Sequence, residues 1–291
     1  MSDPVCNDLT RQRTPRLVLP LLLATAGLLA SATAWAAADQ ARIDLIEGRK
    51  VESVTIRHPA SKVVVVFESG LRGTLDKWDK VLDAVSPDAT VFAYNRPGYA
   101  NSEASDAPRD GETIVRQLRQ VLKHKGLAPP YVLVGHSLGG LYVQLFARRY
   151  PDEVAGIVLV DGLLPRMVKK PEEFPFTTRL AKRVLLSNAV GREVDGIYDT
   201  GEKILALPGI DDKPMIRLIN VPKSATAIPV DFGAFHRDAD TVAFVRGLYP
   251  NAKKVIVDSD HQMQTAHPEA VSKAIRELIA RQAGQAASAA R

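Results

Sequence analysis

The stretch Tyr131-Val132-Leu133-Val134-Gly135-His136-Ser137-Leu138-Gly139-Gly140 decides how this chain is read. Tyr131 to Val134 form an extended apolar run, and glycines then bracket a serine in the pattern Gly-x-Ser-x-Gly. A serine held at a sharp strand-to-helix turn has strained backbone angles, and neighbouring backbones come too close for flanking side chains. Gly135 and Gly139 leave that room. From Leu138 to Arg149, apolar residues at Leu141, Val143, Leu145 and Phe146 follow a helix-like spacing that begins where the turn requires it. Strand, tight turn and helix in that order make Ser137 the candidate nucleophile of a nucleophile elbow.

On both sides of this junction the pattern alternates between short apolar runs and helical periodicities. Val63-Val64-Val65-Val66-Phe67 is continuously apolar, as expected of a strand buried on both faces of a parallel sheet. Helix signals at Leu75 to Val85, a strand at Thr90 to Tyr94 and a helix at Glu112 to Lys125 lead up to the elbow. A strand at Val154 to Val160 follows it. Upstream, Arg42 to Ile46 and Val51 to Arg57 flank Glu47-Gly48-Arg49 and read as an antiparallel hairpin at the sheet edge. The alternation predicts an α/β fold, a mostly parallel central sheet with crossover helices on both faces.

The alternation breaks between Gly162 and about Val221, where proline and charge interrupt short helical pieces such as Thr177 to Leu186 and Asp195 to Leu207. That block reads as a small helical lid insertion. The pattern resumes with a strand near Ala227 to Phe232, a helix at Asp240 to Leu248, a strand at Lys254 to Val257 and a last helix at Pro268 to Arg281. The expected organisation is a core over residues 40–162 and 222–282, an insertion over 163–221 and a flexible tail over 283–291.

The first residues belong to a different category. Arg11, Arg13 and Arg16 precede an apolar run from Leu17 to Ala30 and then small residues around Ala32 to Ala38, which is the pattern of a secretory signal peptide. Residues 1–36 are assigned to it, with cleavage near Ala36, and an exported, periplasmic or secreted location is expected. An uncleaved run would instead be a membrane anchor. Cys6, the only cysteine, lies inside this leader, so stability must come from a core and not from disulfides. Roughly 250 residues suffice for one such α/β domain. The net charge of +5 is scattered over the chain and not gathered into a stripe with interleaved aromatics, so nucleic-acid binding is not favoured.

Four blocks, in order, are similar to the α/β-hydrolase superfamily, specifically to lid-bearing serine hydrolases of the esterase and aminopeptidase type. They are Phe67-Glu68-Ser69-Gly70-Leu71, Tyr94-Asn95-Arg96-Pro97-Gly98-Tyr99 with Ser102 nearby, Gly135 to Gly140, and Asp258-Ser259-Asp260-His261 before the last helix. Asn95 and Ala100 depart from the family's D-x-P-G-x-G-x-S pattern, and Ser69 stands where a histidine usually precedes the glycine. The resemblance implies a Ser-His-Asp triad, with Ser137 as nucleophile and His261, just past the terminal strand, as its base. His58, His124, His136, His236 and His267 fall elsewhere. Two aspartates compete for the acid, Asp161 at the end of its strand and Asp238 after a later one, with Asp231 and Asp240 as outside alternatives. Asp161 is favoured.

The oxyanion formed during acyl transfer needs two backbone donors. The Leu138 amide, which follows the nucleophile and opens a helix, and the Leu71 amide, beside the permissive Gly70, are the expected pair. Met167, Phe174, Phe176, Leu185, Leu186 and Tyr198 in the insertion are candidates to line an apolar slot, and Glu172, Glu173 and Glu193 to hold a substrate amine. No metal-ligand spacing and no dinucleotide fingerprint is present, so no cofactor and no metal is expected. The predicted activity is cleavage of a small-molecule carboxylic ester, or an amide, through an acyl-enzyme. A proline-type aminopeptidase and a non-catalytic binding protein on the same fold are the alternatives. A membrane partner is expected only if the leader stays attached.

Overall fold

The computed structural model describes residues 41–221 and 233–289. The leader, Asp231 and the strand expected near Ala227 to Phe232 lie outside the described residues. The elements run β1 (Arg42–Ile46), β2 (Arg49–Ile56), β3 (Val64–Glu68), α1 (Asp79–Val85), β4 (Thr90–Tyr94), α2 (Gly111–His124), β5 (Tyr131–His136), α3 (Gly139–Arg149) and β6 (Val154–Val160). They continue with α4 (Phe176–Leu185), α5 (Asn188–Asp195), α6 (Ile197–Ala206), β7 (Met215–Asn220), α7 (Ala239–Gly247), β8 (Lys253–Val257), α8 (Met263–Ala266) and α9 (Pro268–Ala289).

Eight strands form one sheet in the order β1-β2-β4-β3-β5-β6-β7-β8. β1 pairs with β2, and β2 with β4, in antiparallel fashion, and every pairing from β4 through β3, β5, β6 and β7 to β8 is parallel. The continuous apolar runs follow from burial of both faces. Val64 and Val66 of β3, Tyr131 and Leu133 of β5, and Ile157 and Leu159 of β6 point into one core layer. Their neighbours Val65, Phe67, Val132, Val134, Val158 and Val160 point into the other. Each such side chain, fully removed from water, contributes about 1.5–3 kcal/mol. On the first face α3 packs against β5 and β6, with α2 and α6 beside it; on the second, α9 packs against β5, β6 and α1.

The structure corrects two boundaries. β7 lies within the 163–221 block assigned to the insertion, and its Ile157↔Met215 to Val160↔Leu218 register makes it a full member of the sheet. Its sequence concealed this because Arg217 interrupts the apolar run; that side chain is only partly buried and donates to the Leu248 carbonyl at 3.4 Å. The insertion proper therefore ends before Met215. The last helix continues to Ala289, through most of the segment expected as a flexible tail, in keeping with its alanines and glutamines, which are good helix formers. Among the described residues no helix is long and apolar enough to cross a membrane.

The insertion is tied to the core at several points. Val168 bridges Phe235, the Lys169 amide donates to the Ala234 carbonyl at 2.9 Å, and Arg148 of α3 donates to the Ile204 and Leu207 carbonyls at 3.1 Å each. Ile204 of α6 is fully buried.

Candidate active site

Ser137 stands between the end of β5 and the start of α3 with φ at +50°, a left-handed conformation that costs a non-glycine residue of order 1–3 kcal/mol. The surroundings impose it. A Cβ on Gly139 would lie 2.2 Å from the Glu68 carbonyl oxygen, and one on Gly135 would lie 2.6 Å from the Gly139 oxygen. Helix α3 can therefore start against the end of β3 only with glycine at these positions. The turn is held by the Ser137 amide, which donates to the Val160 carbonyl at 3.2 Å, and by the Ser137 carbonyl, which accepts from Gly140 and Leu163 at 2.9 Å each.

Parallel strands bring their carboxyl ends to one edge of the sheet, and residues far apart in sequence meet there. His261, in the loop after β8, has its Nε2 2.9 Å from Ser137 Oγ. Its Nδ1 lies 2.7 Å from Asp161 Oδ2, just past β6. A proton on Nδ1 donated to the carboxylate leaves Nε2 to accept from the serine hydroxyl. Asp161 is itself left-handed, with φ at +44°, and its Oδ1 accepts from the Asn220 amide at 3.4 Å. Asn220 Oδ1 in turn accepts from the Ser259 amide at 3.3 Å, so the end of β7 links the aspartate loop to the histidine loop.

Asp238 sits apart from this relay. Its Oδ1 caps α7 by accepting from the Thr241 amide at 2.8 Å, and its Oδ2 lies 3.2 Å from His236 Nδ1. The hydrogen bonds from Thr241 keep its carboxyl below the usual range. Asp240 falls in the first turn of the same helix.

His136 has a role that its position inside the elbow did not suggest. Its ring is 3% exposed, lies edge-on to Trp78 and has its centroid 4.7 Å from that of His261. Nε2 lies 2.7 Å from the His261 carbonyl oxygen and must donate to it. Burial, followed by the neighbouring His261, lowers its pKa to about 4, so the ring is neutral near pH 7. Nothing in the sequence announces this contact, because its partner is a backbone oxygen distant along the chain.

The segment Ser69-Gly70-Leu71 passes directly over the elbow, where a Cβ on Gly70 would fall 3.0 Å from Ser137 Cβ and 2.9 Å from His136 Nδ1. Among the described residues neither the Leu71 nor the Leu138 amide has a hydrogen-bond acceptor. Trp78 Nε1 donates to Ser69 Oγ at 3.0 Å. Behind the segment lies a buried cluster of two guanidiniums and two carboxylates, Arg96, Arg109, Glu68 and Glu193, with side-chain exposures of 0–2%. Burial holds the Glu68 carboxyl above its usual range, against the opposing pull of Arg96. Glu193, from α5 of the insertion, contacts Arg96, Arg109 and the Tyr99 hydroxyl. It is not open to a substrate amine, contrary to the sequence expectation. Glu172 and Glu173 are exposed, and Glu173 accepts from the Lys170 amide.

The expected apolar slot is likewise revised. Phe174 is 3% exposed and belongs to the core, whereas Phe176 and Leu185 are each 70% exposed on α4. Nine positions apart on an α-helix, they project from opposite sides of α4, which has no buried residue. Among the described residues no group of three or more His, Cys, Asp or Glu side chains is arranged to hold a metal ion.

A family model for the alpha/beta hydrolase fold matches residues 63–201. The chain is 32% identical over 108 residues to the protein YqjL of Bacillus subtilis, covering 37% of this chain and 43% of that one. It is 27% identical over 124 residues to a (lyso)-N-acylphosphatidylethanolamine lipase of Bos taurus, covering 41% and 36% respectively. The matched stretch thus spans less than half the length of these curated relatives. Among solved structures, a thermophilic esterase from Thermogutta terrifontis superposes with a TM-score of 0.60 at 20% identity, over 83% of this chain and 98% of that one. A haloalkane dehalogenase variant from Bradyrhizobium elkanii superposes with a TM-score of 0.63 at 13% identity, over 85% and 98%. Those two neighbours carry different reactions on one architecture, so likeness of fold does not name the bond that is cleaved. The parallel sheet, the glycine-flanked serine turn and the matching family model together give this chain the alpha/beta hydrolase fold.

Proposed function

We propose that the protein is a serine hydrolase that cleaves a carboxylic ester through an acyl-enzyme intermediate. One observation carries this reading: the relay in which His261 lies 2.9 Å from Ser137 Oγ and 2.7 Å from Asp161 Oδ2. A serine hydroxyl is a weak nucleophile until a base takes its proton, and the base must be held in one tautomer. In this reading Ser137 Oγ attacks the substrate carbonyl as its proton passes to His261 Nε2. Asp161 accepts the Nδ1 hydrogen and stabilises the imidazolium. The Leu138 and Leu71 amides donate to the oxyanion, each worth about 3 kcal/mol in the transition state. The imidazolium gives its proton to the departing alkoxide, leaving the acyl group on Ser137. Water, deprotonated by His261, then attacks that ester, and the imidazolium returns the proton to Ser137 Oγ as the bond to the acyl group breaks and the acid leaves.

Esters are favoured over aminoacyl amides because Glu193 is enclosed by two arginines and leaves no free carboxylate at that point for an amine. The basic-then-apolar leader supports action outside the cytoplasm. The test is a fluorophosphonate probe with a panel of p-nitrophenyl esters and aminoacyl p-nitroanilides. Folded wild-type protein should be labelled and should turn over the esters, and Ser137→Ala should lose both properties. Folded protein that is neither labelled nor active would sustain the binding-protein alternative, and preference for the anilides would sustain the aminopeptidase.

A further inference from the structure

Arg96 sits in a block to which the sequence reading gives no chemical role, yet its guanidinium organises the underside of the site. Nη1 donates to Glu68 Oε1 and to the Ser69 carbonyl, both at 2.6 Å. Nη2 donates to the Gly70 carbonyl at 2.8 Å and to Glu193 Oε2 at 3.0 Å, and Nε donates to Glu193 Oε1 at 3.1 Å. One planar fork thus grips the two carbonyls that immediately precede Leu71 and, with its other edge, a carboxylate carried by the insertion. Tyr99 closes the circuit, since its hydroxyl donates to Glu193 Oε2 at 2.8 Å and accepts from the Arg72 amide at 3.3 Å.

A trans peptide is planar, with its C=O and N–H pointing in opposite directions. The bond that draws the Gly70 carbonyl toward Arg96 therefore turns the Leu71 N–H away from Arg96. That amide is left without an acceptor among the described residues, in a segment whose Gly70 touches Ser137. The guanidinium is itself held in place by Glu68 from the core and Glu193 from the insertion, and no lysine could reproduce this many directed bonds at once.

We infer that Arg96 is a positioning residue that aims the Leu71 amide at the developing oxyanion, and that Glu193 makes this aim depend on the insertion being seated. The inference rests on the ester-hydrolase reading above and adds to it a link between the insertion and oxyanion stabilisation. In this arrangement α5 acts on the chemistry without touching substrate. When Glu193 withdraws, Arg96 loses a bidentate partner while its grip on the two carbonyls slackens.

The test compares full-length wild type, Arg96→Lys and Glu193→Gln on a p-nitrophenyl ester and on its thiono analogue, whose C=S sulfur is a poor hydrogen-bond acceptor. Thermal melts and fluorophosphonate labelling accompany the kinetics. An oxyanion site accelerates the oxygen ester far more than the thiono ester, so damage to it shrinks the ratio of the two rates. Arg96→Lys should lower kcat on the oxygen ester about 10- to 100-fold, with KM changed less than about threefold and the rate ratio falling in step. Glu193→Gln should shift both quantities in the same direction by a smaller factor, about tenfold or less. Loss of both ester rates by one common factor overturns the inference, because a role confined to structure predicts that outcome. An unchanged kcat in Arg96→Lys overturns it as well. If Arg96→Lys does not fold, the Glu193→Gln ratio decides alone. Absence of wild-type labelling and turnover would instead remove the parent reading, and this inference with it.

Discussion

At the scale of single residues, the two aspartates offer the sharpest contrast. Asp161, just past β6, contacts the His261 ring, while Asp238 caps α7. Asp161→Asn presents a group that can donate to Nδ1 and so favours the wrong imidazole tautomer; kcat on an ester should fall by about 10³–10⁴-fold. Asp238→Asn should leave kcat within about twofold, since asparagine is also a good helix cap. Steady-state kinetics on the two variants checks this, and the reverse ranking would reject the role given to Asp161.

His136 supplies a second residue-level prediction. An unfolded chain takes up a proton on this ring near its ordinary pKa of 6.5, whereas the folded chain resists until about 4. Between those values the unfolded state binds more protons, so stability falls as pH falls through that window, by about 3 kcal/mol in total. Above pH 6.5 the contribution is fully present, and below about 4 no further loss arises from this ring. Urea unfolding from pH 7.5 to 4 should give a steeper decline for wild type than for His136→Asn, and equal slopes would refute the assignment. Ser137 and His261 were legible in the sequence because glycine spacing and position after the terminal strand mark them. His136, Asn220 and Glu193 were not, because each acts through a partner that only the folded chain brings near.

At the scale of elements, glycine positions separate necessity from tolerance. Gly139 opens α3 where a methyl group would strike the Glu68 carbonyl, whereas Gly191, inside α5, would meet nothing within 4 Å. Gly191→Ala should stabilise the protein by about 0.5–1 kcal/mol through reduced chain entropy and better helix propensity. Gly139→Ala should destabilise it by several times that amount, about 3 kcal/mol or more, because backbone and not a pliable side chain must yield. Denaturant melts of the two variants read both effects. The strands were similarly easy or hard to read for physical reasons. β3, β5 and β6 are buried on both faces and appear as unbroken apolar runs. β7 carries a partly buried arginine that escapes toward a loop carbonyl, which hid a sheet member inside an apparent insertion.

For the whole molecule, the order of strands explains why one short motif reveals so much. β5 lies between β3 and β6, so the turn after it is flanked on one side by the Ser69-Gly70-Leu71 segment and on the other by Asp161. The alternating pattern of helix and strand predicted a parallel sheet, and the strand order that places these neighbours beside Ser137 comes from the fold. How the insertion sits was not specified, since α4, α5 and α6 have helical periodicity without a marker of which face meets the core. The exposed Phe176 and Leu185 and the enclosed Glu193 invert what polarity alone suggests. The insertion is anchored by a charge-neutral, hydrogen-bonded cluster, and such anchoring is directional in a way that apolar packing is not.

His261 follows Ser137 by 124 positions and Asp161 by 100. During synthesis the imidazole is the last of the three to leave the ribosome, after every strand of the sheet has been made. Under the proposed reading, a nonsense codon anywhere between Asp161 and His261 therefore leaves Ser137 without its proton acceptor, however well the preceding strands assemble. Turnover under that reading would report that translation had run past β8.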